Sequence, residues 1–113
     1  MTRTSRLFAR TGIAAIAVTI PLVFAAPAQA ASQDQWDRLA NCESSGNWRA
    51  NTGNGYYGGL QFSRGTWQGF GGGAYASTAN KATRSQQVAI AEKVLRVQGW
   101  KAWPACSRKA GLR

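Results

Sequence analysis

The stretch ANCESSGNW, residues 40–48, sets a single carboxylate, Glu43, directly after a cysteine, Cys42, where an apolar helical pattern gives way to glycine and asparagine. Upstream, Ser32-Gln33-Asp34-Gln35 has the form of a capping box, in which Ser32 bonds the third helical N–H and Gln35 reaches back. Trp36, Leu39 and Ala40 follow at i, i+3 and i+4 and make one apolar face. The pattern predicts a helix that runs to Cys42 or Glu43 and stops before Gly46. Glu43 then stands at a helix C-terminus, where the negative end of the macrodipole favours the protonated carboxyl.

Downstream, Asn47 to Gly59 is dense in Gly, Asn and Tyr, the composition of an ordered loop or short hairpin. Leu60-Gln61-Phe62 fits a short strand, and Ser63 can cap a brief helix through Thr66, Trp67 and Phe70. The glycine run at 69–73 breaks the chain again. Thr83-Arg84-Ser85-Gln86 is a second capping box, opening a helix with Val88, Ala91, Val94 and Leu95 on one side and an end near Gln98-Gly99. Trp100, Trp103, Pro104 and Cys106 close the domain. The expected fold is α+β, mainly α, with about three helices, a short hairpin or loop region and one disulfide.

The first thirty residues are a different material. Arg3, Arg6 and Arg10 precede an apolar run from Thr11 to Ala26, and Ala28-Gln29-Ala30 fits a small-x-small cleavage pattern. Residues 1–30 are therefore expected to be a cleaved secretory signal, and 31–113 one small domain. A membrane anchor fits less well: Pro21 interrupts a run shorter than the roughly 20 residues a spanning helix needs. No cysteine follows the run, so a lipid anchor through an N-terminal Cys has no support. In an oxidising compartment Cys42 and Cys106, the only cysteines, are expected to pair, stabilising the fold by roughly 4 kcal/mol.

Residues 31–113 carry eleven Lys/Arg against four Asp/Glu, a net charge of +7 that favours anionic partners. Arg38, Arg49, Arg64 and Arg84 are scattered and form no stripe, which argues against a nucleic-acid or membrane binder. No histidine is present, so Ser-His-Asp and Cys-His catalysis are excluded, and two cysteines cannot complete a structural zinc site. No phosphate-binding loop precedes a Lys and Ser/Thr, so no cofactor and no metal are expected.

Carboxylate chemistry remains. Asp37 lies about 120° and Asp34 about 180° round the helix from Glu43, and Glu92 reads as a surface charge paired with Arg96 at i,i+4. Glu43 alone is followed by Trp48, Tyr56, Tyr57, Gln61, Thr66 and Trp67, the aromatics and uncharged hydrogen-bonding groups that suit a sugar cleft. A carboxyl against such walls keeps its proton and can protonate a glycosidic oxygen. The competing reading for the aromatics is core packing, strongest for Trp36 and Trp100.

CESSGNW (42–48), NTGNGYYGGLQFSRGTW (51–67) and QGWKAWPAC (98–106) resemble the resuscitation-promoting factor domain, a small lysozyme-like fold of secreted actinobacterial proteins, and the resemblance covers residues 34–111. It implies cleavage of peptidoglycan between N-acetylmuramic acid and N-acetylglucosamine. It carries the catalytic acid onto Glu43, a cleft-lining role onto Thr66, and the disulfide onto Cys42 and Cys106. Gln61, Tyr56 and Trp67 fall on motif stretches that line the groove, and Trp48 joins them as a substrate-binding candidate. With no well-placed second acid, the expected outcome is the lytic transglycosylase one, in which the sugar's own hydroxyl completes the reaction. The rivals are a muramidase that uses water and a non-catalytic glycan-binding or signalling module. The expected setting is secreted or wall-associated, monomeric, acting on peptidoglycan strands; some relatives are thought to act with a peptidoglycan endopeptidase.

Overall fold

The computed structural model describes residues 30–113; apart from Ala30, the expected leader lies outside them. Helix α1, Gln33–Ser44, opens on the expected capping box: Ser32 Oγ accepts from Gln35 N at 3.1 Å, and Gln35 Oε1 accepts from Ser32 N at 2.8 Å. Two orphan donors of the first turn are thereby satisfied. The helix buries Trp36, Leu39 and Ala40 and ends where Ser45 turns left-handed (φ 56°), with the Gly46 N–H returning to Ala40 O at 3.1 Å.

The chain then forms a small hairpin. Strand β1, Tyr56–Tyr57, pairs antiparallel with β2, Phe62–Ser63, in the register Tyr56 to Ser63 and Tyr57 to Phe62. The strand expected at 60–62 thus begins two residues later, at Phe62. Leu60 is instead a buried loop residue whose carbonyl accepts the Trp103 indole N–H at 3.0 Å. Helix α2, Arg64–Gly69, starts from Ser63, whose Oγ accepts from Thr66 N at 3.1 Å. The glycine run that follows is a single 3-10 turn, Gly72–Ala74, pressed onto Trp67: a Cβ on Gly72 would stand 2.3 Å from the indole ring. Only glycine lets the turn approach so closely.

Helix α3, Arg84–Gln98, carries the second capping box and buries Gln87, Val88, Ile90, Ala91 and Val94. A fourth α-helix, α4, Pro104–Lys109, was not among the three expected. Its Pro104 occupies the first turn, where a missing N–H costs nothing, but six residues are too few to show a helical period. The predicted disulfide between Cys42 and Cys106 joins α1 to α4, with the two Cα atoms 5.6 Å apart.

The core is aromatic. Trp36 packs against Trp100 and Trp103, at centroid distances of 5.2 and 5.6 Å, and Phe62 against Trp67 at 5.4 Å. Glu92 corrects the sequence reading. It does not pair with Arg96; its Oε2 accepts the indole N–H of buried Trp36 at 2.8 Å and its Oε1 accepts the Ala31 N–H at 3.4 Å, bonding α3 to the start of the domain. Asp34 and Asp37 do lie exposed, each in an ion pair, with Arg38 at 3.1 Å and Arg84 at 2.7 Å.

Candidate active site

Glu43 occupies the last turn of α1, one residue past the disulfide. It is half-buried and lines a groove of about 370 Å³ with Asn54, Tyr56 and Gln61 from the hairpin and Trp103 and Pro104 from the far side. A smaller hollow of about 100 Å³ shares Tyr56, Gln61 and Trp103 and adds Ser63, Thr66 and Gln98. The two make one cleft, walled by the hairpin and α2 on one side and by Ala102, Trp103 and Pro104 and the end of α3 on the other. Neither lining contains a Lys, an Arg or a second carboxylate.

This neutral lining governs the chemistry of Glu43. Burial pushes its carboxyl pKa up, and neither ion pair among the described residues reaches it to pull the value down. Its place at a helix C-terminus acts in the same direction as burial. A carboxyl so held can carry a proton to a bound ligand.

The hairpin side of the cleft is tightly wired. Gln61 is one of two non-glycine residues with a left-handed backbone among those described (φ 56°), a conformation costing about 1 kcal/mol that persists where the surroundings enforce it. Its Nε2 donates to Gly58 O at 3.1 Å, its Oε1 faces Asn54 Nδ2 at 3.5 Å, and Asn54 Oδ1 accepts from Tyr56 N at 3.0 Å. These bonds fix the Asn54 and Gln61 amides and the Tyr56 backbone in the groove that Glu43 lines.

Of the residues singled out from sequence, Glu43, Tyr56 and Gln61 meet in the groove, and Thr66 lies in the adjoining hollow. Trp67 does not line either: it is wholly buried, with its indole N–H donated to Ala76 O at 2.8 Å. Trp48 stands on a separate pocket, its ring under the Arg84 guanidinium at 5.0 Å. Asn54 and Trp103 are groove residues that sequence reasoning left unnamed. Asn54 sits in the Gly/Asn/Tyr run read as a loop or short hairpin, whereas nothing local separates Trp103 from the core tryptophans it touches.

A small helical domain with one half-buried carboxyl over an uncharged cleft is the architecture of a transglycosylase-like domain, and the family model of that description matches residues 30–106. The domain is of the small lysozyme-like kind, with its single disulfide. The chain belongs to the resuscitation-promoting factor family. It is 53% identical over 112 residues to a resuscitation-promoting factor of Corynebacterium glutamicum, covering 98% of this chain and 58% of the relative. It is 56% identical over 89 residues to that of Micrococcus luteus, covering 79% and 39%. With RpfC of Mycobacterium tuberculosis it shares 46% over 113 residues, covering 99% and 79%. The chain thus spans 58% and 39% of the first two relatives. Among the described residues, no helix is long and apolar enough to cross a membrane.

Proposed function

We propose that this protein is an exported peptidoglycan-cleaving enzyme that cuts between N-acetylmuramic acid and N-acetylglucosamine, remodelling the wall and promoting growth of dormant cells. One observation carries the reading: a single carboxyl, raised in pKa by burial, faces a cleft of uncharged donors and aromatic surface suited to sugar rings. Tyr56, Gln61 and Thr66 bind the glycan, and membership of the family supports the substrate class.

Glu43 acts twice. Protonated, it gives its proton to the glycosidic oxygen as the bond to the muramoyl C1 breaks. As carboxylate it then takes the proton of the muramoyl C6 hydroxyl, whose oxygen bonds to C1. The products are a free GlcNAc 4-hydroxyl and a 1,6-anhydromuramoyl end, with no water consumed and Glu43 again protonated. A hydrolase would want a second carboxylate about 5 Å away for retention or about 6.5–9.5 Å for inversion. The cleft lining offers none.

Mass spectrometry of digested peptidoglycan tests the reaction. Anhydro ends are the expected products; fragments uniformly one water heavier, with reducing muramic ends, would replace this mechanism by hydrolysis. Glu43→Gln should reduce cleavage by at least about a thousandfold while the protein still binds glycan. A folded Glu43→Gln protein with full activity would remove Glu43 from the reaction. The same proposal has the protein working as a secreted, wall-associated monomer, together with a peptidoglycan endopeptidase.

A further inference from the structure

The cleft contains no cation, yet residues 31–113 carry a large excess of them. Three of these cations meet elsewhere. A pocket of about 460 Å³ is bordered by Arg49, Lys81 and Arg84 together with Trp48 and Asn80, and no carboxylate lines it. It shares no residue with the cleft.

Its parts are held in place. Trp48 is wedged against Gly59, where a Cβ would come within 2.4 Å of the indole ring, and the Trp48 carbonyl accepts from Gln87 Nε2 at 2.8 Å. Arg84 is fixed over the same ring at 5.0 Å and by its pair with Asp37 at 2.7 Å. Asn80 Oδ1 accepts from Thr78 Oγ1 at 2.7 Å, which orients the side-chain amide and leaves its nitrogen as a donor. Arg49 and Lys81 take part in neither of the ion pairs among the described residues. Two unneutralised cations and an oriented amide donor, set beside a rigid aromatic floor, suit a planar oxyanion, and a guanidinium holds a carboxylate in two parallel bonds.

We propose that this pocket binds the carboxylates of the wall's stem peptides, so that the neutral cleft holds the glycan and the basic pocket holds the acidic peptide. The inference rests on the wall-glycan reading above, but a free peptide tests it without any cleavage. A protein that binds the peptide yet cuts no glycan fails the first reading only.

The test is titration of the purified protein with a free, uncross-linked stem peptide, followed by amide and indole NMR shifts. The expected shifts cluster on the Trp48 indole N–H and the Asn80 side-chain amide. Affinity should drop about tenfold in the Arg49→Gln/Lys81→Gln double variant and be unchanged in Glu43→Gln. Raising salt from 50 to 500 mM should weaken binding by about fivefold or more, as the Debye length shrinks. Amidating the peptide's carboxylates should cost about tenfold on the unaltered protein, a reading that needs no variant to fold. Shifts that centre on Tyr56 and Gln61, an amidated peptide that binds as well as the acid, or inorganic phosphate that displaces the peptide at a tenth of its concentration would each overturn the assignment.

Discussion

Ser44 Oγ stands 2.9 Å from the carbonyl oxygen of Gly59 and donates to it, while lying 3.1 Å from Ala40 O within its own helix. The residue after Glu43 is thereby tied to the loop that carries Gln61, so the carboxyl and the Gln61 amide share one frame. Ser44→Ala removes that tie and should cost about 1 kcal/mol of stability in urea unfolding. The same variant should lower kcat by about tenfold with KM little changed, because Glu43 is misplaced and the binding groups are not. A kcat loss matched by an equal rise in KM would count against this positioning role.

Burial raises the Glu43 pKa, so the folded protein holds this proton more tightly than the unfolded chain does. Above both pKa values the carboxylate is ionised in both states and the folded state bears the desolvation penalty. Below the unfolded value of 4.5 both states are protonated and the penalty vanishes. Stability from this group therefore falls as pH rises from 4.5 through the raised folded pKa. Glu43→Gln should accordingly melt higher than the unaltered protein at pH 7, and the two melting curves should converge as pH falls below 4.5. A constant offset at all pH values would show that burial of the charge is not the source. In the proposed mechanism cleavage begins from the protonated acid, so its rate should decline as pH rises through the same folded pKa.

What was legible in the sequence was what neighbours in the chain decide. Ser32 with Gln35 and Thr83 with Gln86 announce their helices because a capping box is complete within four residues. Glu43 at a helix end could be placed for the same reason. What failed depends on contacts made across the fold. Glu92 looked like a solvated charge on its own helix, and its partner is the indole of Trp36, 56 residues away. Trp67 and Trp48 both sit in motif stretches beside groove residues, but Gly72 packs one into the core and Arg84 covers the other on a separate pocket. Gln87 lies within an apolar helical face, and periodicity offers no reason to expect a polar side chain buried there.

The disulfide closes a loop of 64 residues and ends one residue before the acid. The double variant Cys42→Ser/Cys106→Ser should lose about 4 kcal/mol in the chain-entropy model, measured by denaturant unfolding. Under conditions where that variant is still folded, its kcat should also be depressed, because α1 then frays at the turn that carries Glu43. Full kcat in the folded double variant would assign the bridge to stability alone.

Gln87 offers the sharpest separation of polar from apolar contributions to the fold. It is wholly buried, and each polar atom is used: Oε1 accepts from Gly59 N at 3.0 Å, while Nε2 donates to Trp48 O at 2.8 Å and Ala82 O at 3.0 Å. It thus clamps α3 to the Trp48 turn and to the loop behind Gln61. Gln87→Leu keeps nearly the same volume but leaves the Gly59 N–H and the Ala82 carbonyl buried, and the Trp48 carbonyl part-buried, without this partner, each buried group costing about 1–3 kcal/mol. The summed loss should reach at least about 3 kcal/mol, enough to lower the melting temperature by about 12 °C or more in a domain of this size. Gln87→Glu gives a second test, since it keeps the acceptor and removes both donors while adding a buried charge. It should be the worse of the two at pH 7 and recover relative to Gln87→Leu as the pH falls and the new carboxyl is protonated. A Gln87→Leu protein as stable as the unaltered one would show that apolar packing of α3 holds the loop without the clamp.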